Sequence, residues 1–205
     1  GIIAGGNEAV FRSIENAEDS METGAAMMDE KNVGPNDVVF GIATGGSTPY
    51  VHGAIARARE RGAKTVFFAC VPKDHYDDQA DVSIRVVVGP EVITGSTRMK
   101  AGTATKLVLN TLTTTAMIRL GKVYGNLMVD LKAVNNKLRD RSVRIVADVT
   151  GLSKPRARTL LARAEGRVKA ALVKHFRRVH PSRALDVLKD NGELLRPAIA
   201  EAIET

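Results

Sequence analysis

Uncharged, largely apolar runs alternate with segments of helical spacing through the first half of the chain, a pattern of βα units around a parallel sheet. Ile2-Ile3-Ala4 reads as a strand ending at Gly5-Gly6, and Ala9, Val10, Ile14 and Ala17 mark a helix after it. Val38 to Ala43 holds no charge and suits a strand covered on both faces. A helix follows from Pro49 to about Arg61, stopped by Gly62. Thr65 to Cys70 is the next strand, closed by Val71-Pro72, and Val82 to Val88 the fourth, closed by Gly89-Pro90. A long helix runs from about Lys100 to Leu120, with Ala104, Leu107, Val108, Leu112, Thr115 and Ile118 at helical spacing and Gly121 at its end. The strand that opens a doubly wound sheet usually lies in its interior, and nothing precedes Ile2 to cover it. The chain therefore reads as the C-terminal part of a longer protein.

Beyond Gly125 the pattern is helical throughout. Leu127 to Asp148 ends at Thr150-Gly151, and Ser153-Lys154-Pro155 starts a short helix. Val168 to Val179 forms another, with Val168, Leu172, His175, Phe176 and Val179 inward, and Ser182 caps a third. The expected architecture is α/β, a parallel sheet flanked by helices and followed by a small C-terminal helical bundle. The division is placed at residues 1–130 and 131–205.

Charge separates the same two parts. From Leu131 onward 17 Lys and Arg stand against 8 Asp and Glu, whereas Gly1 to Asp130 holds 13 against 15. A basic helical segment can be a nucleic-acid footprint, but stacking aromatics are scarce beyond Phe176, so no nucleic-acid partner is expected. At 205 residues and 44% hydrophobic, the chain is long enough for a packed core. Its one cysteine, Cys70, ends an apolar run and reads as a small buried hydrophobe in a cytoplasmic protein. The longest apolar stretch, Leu107 to Leu120, is broken by Asn110 and threonines and is too short for a bilayer, so no membrane role is expected.

The chemistry concentrates in two turns. Thr44-Gly45-Gly46-Ser47-Thr48-Pro49 joins a buried strand to a helix. Glycines there let a ligand approach the backbone, Thr48 is a candidate N-cap, and the helix start offers N–H groups to an anion. Ser96, Thr97, Arg98 and Lys100 follow the fourth strand and open the long helix, combining hydroxyls and cations around a second anion site. Ser96 or Thr97 as a simple cap, with Lys100 in water, is the competing reading. His52, His75, His175 and His180 are dispersed and give no metal constellation, and no cofactor is expected. Neither a full dinucleotide fingerprint nor a Walker lysine accompanies Gly45-Gly46.

Three stretches together resemble the N-acetylmuramic acid 6-phosphate etherases, a family built on the SIS (sugar isomerase) fold. They are Gly1-Ile2-Ile3-Ala4-Gly5-Gly6 leading to Glu15-Asn16-Ala17-Glu18-Asp19-Ser20, the loop Gly41 to Tyr50, and the block from Val88 through Thr94-Gly95-Ser96-Thr97-Arg98-Met99-Lys100-Ala101-Gly102-Thr103. Lys106 to Asn110 and Gly121 to Asp130 continue the match. Against the family's pattern, roughly the first third is absent, with its first strand, a Ser/Gly phosphate loop and one of two catalytic acids. The family's Ala-Ser-Gly-Arg-Thr-Pro loop stands here as Thr44-Gly45-Gly46-Ser47-Thr48-Pro49, which loses a hydroxyl at Gly45.

The resemblance implies a lyase that cleaves the D-lactyl ether of N-acetylmuramic acid 6-phosphate, giving D-lactate and N-acetylglucosamine 6-phosphate in cell-wall amino-sugar catabolism. An ether is a poor leaving group, so a base takes the C2 proton while an acid protonates the departing oxygen, and water then adds. Glu18 matches the acidic position of the Glu-x-Ala-Glu-Asp motif as base or proton shuttle. Glu15, on a similar helical face, and Asp19 are alternatives, and a solvated acidic surface is the bland reading. The resemblance further implies substrate contacts from Thr44, Gly45, Gly46, Ser47, Thr48, Ser96, Arg98 and Lys100, a homodimer, and inactivity of these 205 residues alone. A non-catalytic sugar-phosphate-binding regulator or a sugar-phosphate isomerase on the same fold are the alternatives.

Overall fold

The structure is a computed structural model, and it describes residues 1–200. Two compact units divide between Leu109 and Asn110.

The first unit is built on three parallel strands, β1 (Val38–Ile42), β2 (Lys64–Ala69) and β3 (Val82–Arg85), in spatial order β1-β2-β3. Val38 pairs with Lys64 and Ile42 with Phe68, while Val66 pairs with Val82 and Ala69 with Arg85. Successive side chains of the central strand leave on opposite faces. Phe67 packs with Ala43, Ile55 and Ala69 on one face, and Phe68 packs with Cys70, Ala101 and Ala104 on the other. Helix α2 (Pro49–Glu60) supplies Ile55, and the first turns of α3 (Lys100–Arg119) supply Ala101 and Ala104. This two-sided cover explains the nearly uncharged strands.

Helix α1 (Met21–Glu30) lies against α2 through backbone. A Cβ built on Gly24 would fall 2.0 Å from the Tyr50 carbonyl oxygen, and one on Gly53 would fall 2.0 Å from that of Met21. Met28, Val33, Ala54, Ala58 and Ala63 fill the space beside this crossing. Asp29 ties it further, accepting from Arg57 Nε at 2.9 Å and from Arg61 Nη1 at 3.0 Å.

The second unit contains a hairpin, β4 (Val123–Tyr124) with β5 (Leu127–Met128), and helices α4 (Asn136–Thr150), α5 (Lys154–Arg163), α6 (Val168–Arg177), α7 (Pro181–Asp190) and α8 (Leu195–Ala200). Val146, Ala157, Leu172, Ala184, Leu188 and Ile199 are among its core residues. Tyr124, Leu127 and Val129 pack on that core, so the segment before Asp130 belongs by packing to the helical unit. Residues 201–205 of the sequence's second domain lie outside the described residues.

Several elements differ from expectation. Ile2-Ile3-Ala4 is not a strand: Ile2 and Ile3 are about half exposed, and among the described residues no strand offers them a ladder. The helix expected over Ala9 to Ala17 is only a 3₁₀ turn at Gly6–Val10, and Asn16 at φ 59° breaks helical continuation. The helix lies later, at α1, whose start is fixed by Ser20 Oγ accepting from the Thr23 amide. Strand β3 stops at Arg85 rather than Val88. The helix expected from Leu127 begins only at Asn136, because Gly125 at φ 58° turns the β4–β5 hairpin and Asn135 caps α4 by accepting from the Leu138 amide. His180, not Ser182, caps α7.

Candidate active site

Parallel pairing sets the carboxyl ends of β1, β2 and β3 along one edge of the sheet, where ligand sites of open α/β sheets are formed. The first turn beyond that edge is Thr44 to Thr48. The Ala43 amide still donates to the Phe68 carbonyl at 3.0 Å, the Cys70 amide donates to the Thr44 carbonyl at 2.8 Å, and the Gly46 amide closes the turn on Ala43 at 2.8 Å. Gly46 sits at φ 88°, where a side chain would be strained and would crowd Val71 and Tyr76. Gly45 and Ser47 are exposed, Thr44 and Thr48 half-buried. Thr48 occupies the N-cap position of α2, but its side chain makes no capping bond and Pro49 follows.

A layer behind the turn holds it. His52 Nε2 lies 2.7 Å from the Gly46 carbonyl oxygen, so that nitrogen carries the proton and donates. The imidazole stacks on Phe67 and touches Tyr76, with ring centroids 5.0 and 4.5 Å away. Arg85, at the end of β3, donates from Nη2 to Asp78 at 2.5 Å and to the Tyr76 carbonyl at 2.9 Å, and its guanidinium lies over Phe67. Burial pushes the Asp78 carboxyl up, yet hydrogen bonds from Ser83, Arg85 and Ala80 together with the Arg85 charge outweigh it and leave the group below its ordinary value.

Glu18 is tied to the helix that follows this turn. Its carbonyl accepts from the Tyr50 amide at 3.0 Å, satisfying one of the free donors in the first turn of α2. The Glu18 side chain is exposed and makes no hydrogen bond or ion pair with the described residues. Residues 15–18 form turns, not a helix, so the shared helical face expected for Glu15 and Glu18 is absent. The Asp19 amide closes a turn on Asn16 at 3.3 Å.

The second turn, Thr94 to Arg98, lines a shallow cup of about 520 Å³. Gly95 turns the chain at φ 81°, and Arg98 Nε donates to Ser96 Oγ at 2.9 Å, which makes the two residues one unit. Lys100 is folded back, its Nζ donating to the Pro90 carbonyl at 2.9 Å. Glu91 holds the helix start: its carboxylate accepts from the Lys100 amide at 3.1 Å and the Ala101 amide at 3.0 Å. Cys70 links the two turns, since its amide serves Thr44 while its thiol lies 3.9 Å from the Ala101 carbonyl.

The Glu18 carbonyl, the Cys70 amide and the Cys70 thiol thus tie the Glu18 backbone, the Thr44–Thr48 turn and the start of α3 to one end of the sheet. No side-chain bond joins Glu18 to either turn, and Lys100 is engaged with backbone. The sequence reading missed His52, Arg85 and Asp78 as supports of the turn, and Gly24 and Gly53 as the contact that registers α1 on α2. A histidine three residues after the glycine turn's Thr48-Pro49 was a visible signal; the ion pair needed the fold.

The Glu91 ties carry a pH dependence. Hydrogen bonds from the Ala101 and Lys100 amides hold its carboxyl below the ordinary glutamate value. A lowered native value means these ties stabilise the loop above the ordinary range and are lost as pH falls through the native value. Amide signals of Lys100 and Ala101 are expected to titrate with a midpoint below that of an ordinary glutamate. Glu91→Gln removes the transition; a normal midpoint in the parent chain would contradict the cap.

Comparison with known proteins gives first the class. Residues 1–59 match the glucokinase regulatory protein N-terminal SIS domain, and residues 125–189 match the C-terminal lid domain of glucokinase regulatory protein. The sheet with its glycine turn is thus a SIS-type unit, and the helices after it a lid-type unit. An N-acetylmuramic acid 6-phosphate etherase of Synechococcus elongatus is 50% identical over 199 residues, 97% of this chain and 65% of that protein. Those of Nostoc punctiforme and Gloeobacter violaceus are 51% and 52% identical over the same shares. The chain is similar to the N-acetylmuramic acid 6-phosphate etherases, and it spans about 65% of the length of these relatives.

Proposed function

We propose that this chain carries the sheet and lid portions of a lyase that opens the D-lactyl ether of N-acetylmuramic acid 6-phosphate by elimination and water addition. One observation supports the reading: the Glu18 carbonyl accepts from the Tyr50 amide, which ties the Glu18 backbone to the helix start that follows the glycine turn. The Thr44, Ser47 and Thr48 hydroxyls and the backbone of Gly45 and Gly46 receive the phosphate at the start of α2. Ser96 and Arg98 contact the sugar or its anionic substituent from the second turn, and Lys100 joins them by leaving the Pro90 carbonyl. Glu18 removes the C2 proton, made acidic by the adjacent aldehyde of the open-chain sugar; a second carboxylic acid protonates the leaving oxygen at C3. Water adds to the double bond to give N-acetylglucosamine 6-phosphate.

On this reading the substrate-binding part of the sequence spans residues 1–130, its last stretch packing with the helical unit that follows. Exposed Leu112 and Met117 on α3, with Leu120 just beyond its end, support a homodimer. No helix among the described residues is long and apolar enough to cross a membrane, and the single, buried Cys70 supports a cytoplasmic setting.

The test uses a chain extended to the relatives' full length, incubated with the substrate in ¹⁸O-labelled water. D-lactate is expected without label, together with N-acetylglucosamine 6-phosphate labelled at the C3 hydroxyl; label in the lactate would exclude elimination. The match to glucokinase regulatory protein domains favours a second reading, a sugar-phosphate sensor, for which the same protein would bind ligand and release no lactate.

A further inference from the structure

One cavity lies within the helical unit, and none of its lining residues belongs to the turns described above. It is a cleft of about 1060 Å³ whose floor includes Val129, Val143, Leu161 and Leu188. Seven Lys and Arg line it against four Asp and Glu. The carboxylates are already engaged: Asp130 by Lys122 at 2.5 Å, Glu193 by Lys169 at 3.2 Å, Glu165 by Arg167 at 3.8 Å, and Asp140 by Arg144 at 3.0 Å. Among the described residues, Lys132, Arg139, Arg158 and Lys189 then face the cleft with no ion pair. Like charges gathered around a concavity with an apolar floor raise the local concentration of anions.

The start of α6 adds directional donors to this charge. Val168, Lys169 and Ala170 line the cleft and are 2%, 7% and 2% exposed. Their amides precede the first intrahelical bond, which runs from Ala171 to the Arg167 carbonyl. Arg167 at the N-cap position makes no side-chain capping bond, and no acidic residue stands in the first turn. Buried helix amides without a cap are costly, and a lysine at the positive end of a helix opposes the dipole. Lys169 Nζ uses two hydrogens, on the Glu193 carbonyl at 3.0 Å and its carboxylate, and keeps a third. A tetrahedral oxyanion would satisfy amides, ammonium and flanking guanidinium groups together.

We infer that this cleft is an anion site, for a phosphate-bearing small molecule, that shares no lining residue with the turns at the sheet edge. No aromatic side chain lines it, so a nucleobase would find no stacking face, and a compact sugar phosphate or a polyphosphate fits better. The inference stands whether or not the etherase reading holds.

Inorganic pyrophosphate is the probe, titrated calorimetrically into the full 205-residue chain in a buffer free of phosphate and sulfate. Arg158 and Lys189 are exposed on α5 and α7, so Arg158→Glu with Lys189→Glu is expected to fold as the parent and to bind at least about tenfold more weakly. Arg158→Gln alone, read the same way, gives a smaller loss in the same direction if the reversals disturb folding. Amide shifts at Val168, Lys169 and Ala170 locate the ion. Absence of binding at millimolar pyrophosphate, unchanged affinity in both variants, or shifts confined to residues 44–48 and 94–98 would each overturn the assignment.

Discussion

Gly53→Ala is expected to destabilise the first unit by about 2 kcal/mol, read from urea titration of amide signals in α1 and α2. Two effects oppose one another. Alanine is the better helix residue by up to about 1 kcal/mol, because glycine loses more backbone freedom. The new methyl, however, would sit 2.0 Å from the Met21 carbonyl oxygen and 2.6 Å from its carbon. Backbone cannot turn aside as a side chain can, so the helices must part. Overpacking costs about 1–3 kcal/mol where side chains can adjust, and a backbone clash belongs at or above the upper end. Parting the helices also opens the small core of Met28, Ala54 and Ala58 and lengthens the Asp29 ties to Arg57 and Arg61. Gly24→Ala strikes the same crossing from the other helix, at the Tyr50 carbonyl, so the double variant should cost less than the sum of the two. Equal or greater stability in Gly53→Ala would mean that the helices do not touch there.

That crossing also explains which parts of the molecule could be read from sequence. Strand β2 was legible because burial on both faces excludes charge from a short run, β1 because its run carries no charge even though Val38 and Ile42 stay exposed, and α2 because Pro49 and Gly62 punctuate it. Helix α1 was not legible: it packs through Gly24 against backbone, so it carries no continuous apolar stripe, and its glycine reads as a breaker. The β4–β5 hairpin was signalled by Gly125-Asn126 between two apolar pairs, but strands of two residues are too short for alternation to register. At the site, the glycine turn was visible from its own composition. Glu18 was singled out only through its motif, because the bond that ties its backbone to α2, carbonyl to Tyr50 amide, uses no side chain. The cleft in the helical unit draws its lining from residues 122 to 193, and no local pattern foretells that convergence.

Glu18→Gln, in a chain carried to the relatives' full length, is expected to lower D-lactate release by about 10²- to 10⁴-fold, the usual worth of one positioned general base. Glutamine keeps the shape and can hydrogen-bond but cannot accept a proton at neutral pH. The Glu18 carboxylate is exposed and unpaired with the described residues, so the substitution strips no structural tie and the protein should remain folded. Backbone placement survives as well, since Tyr50 is held by the Glu18 carbonyl, not its side chain. The loss should therefore fall on kcat, with KM for the sugar phosphate nearly unchanged, and exchange of the C2 hydrogen with deuterated water should disappear in step. Glu15→Gln and Asp19→Asn, equally exposed and on the same run of turns, distinguish a base from a general acidic surface: both should leave exchange within a few fold of the parent. If all three variants lose rate alike, the acidic run acts as a field on the substrate. If only Glu15→Gln or Asp19→Asn abolishes exchange, the proton goes to that carboxylate, and the Tyr50 bond serves to hold its neighbour in place.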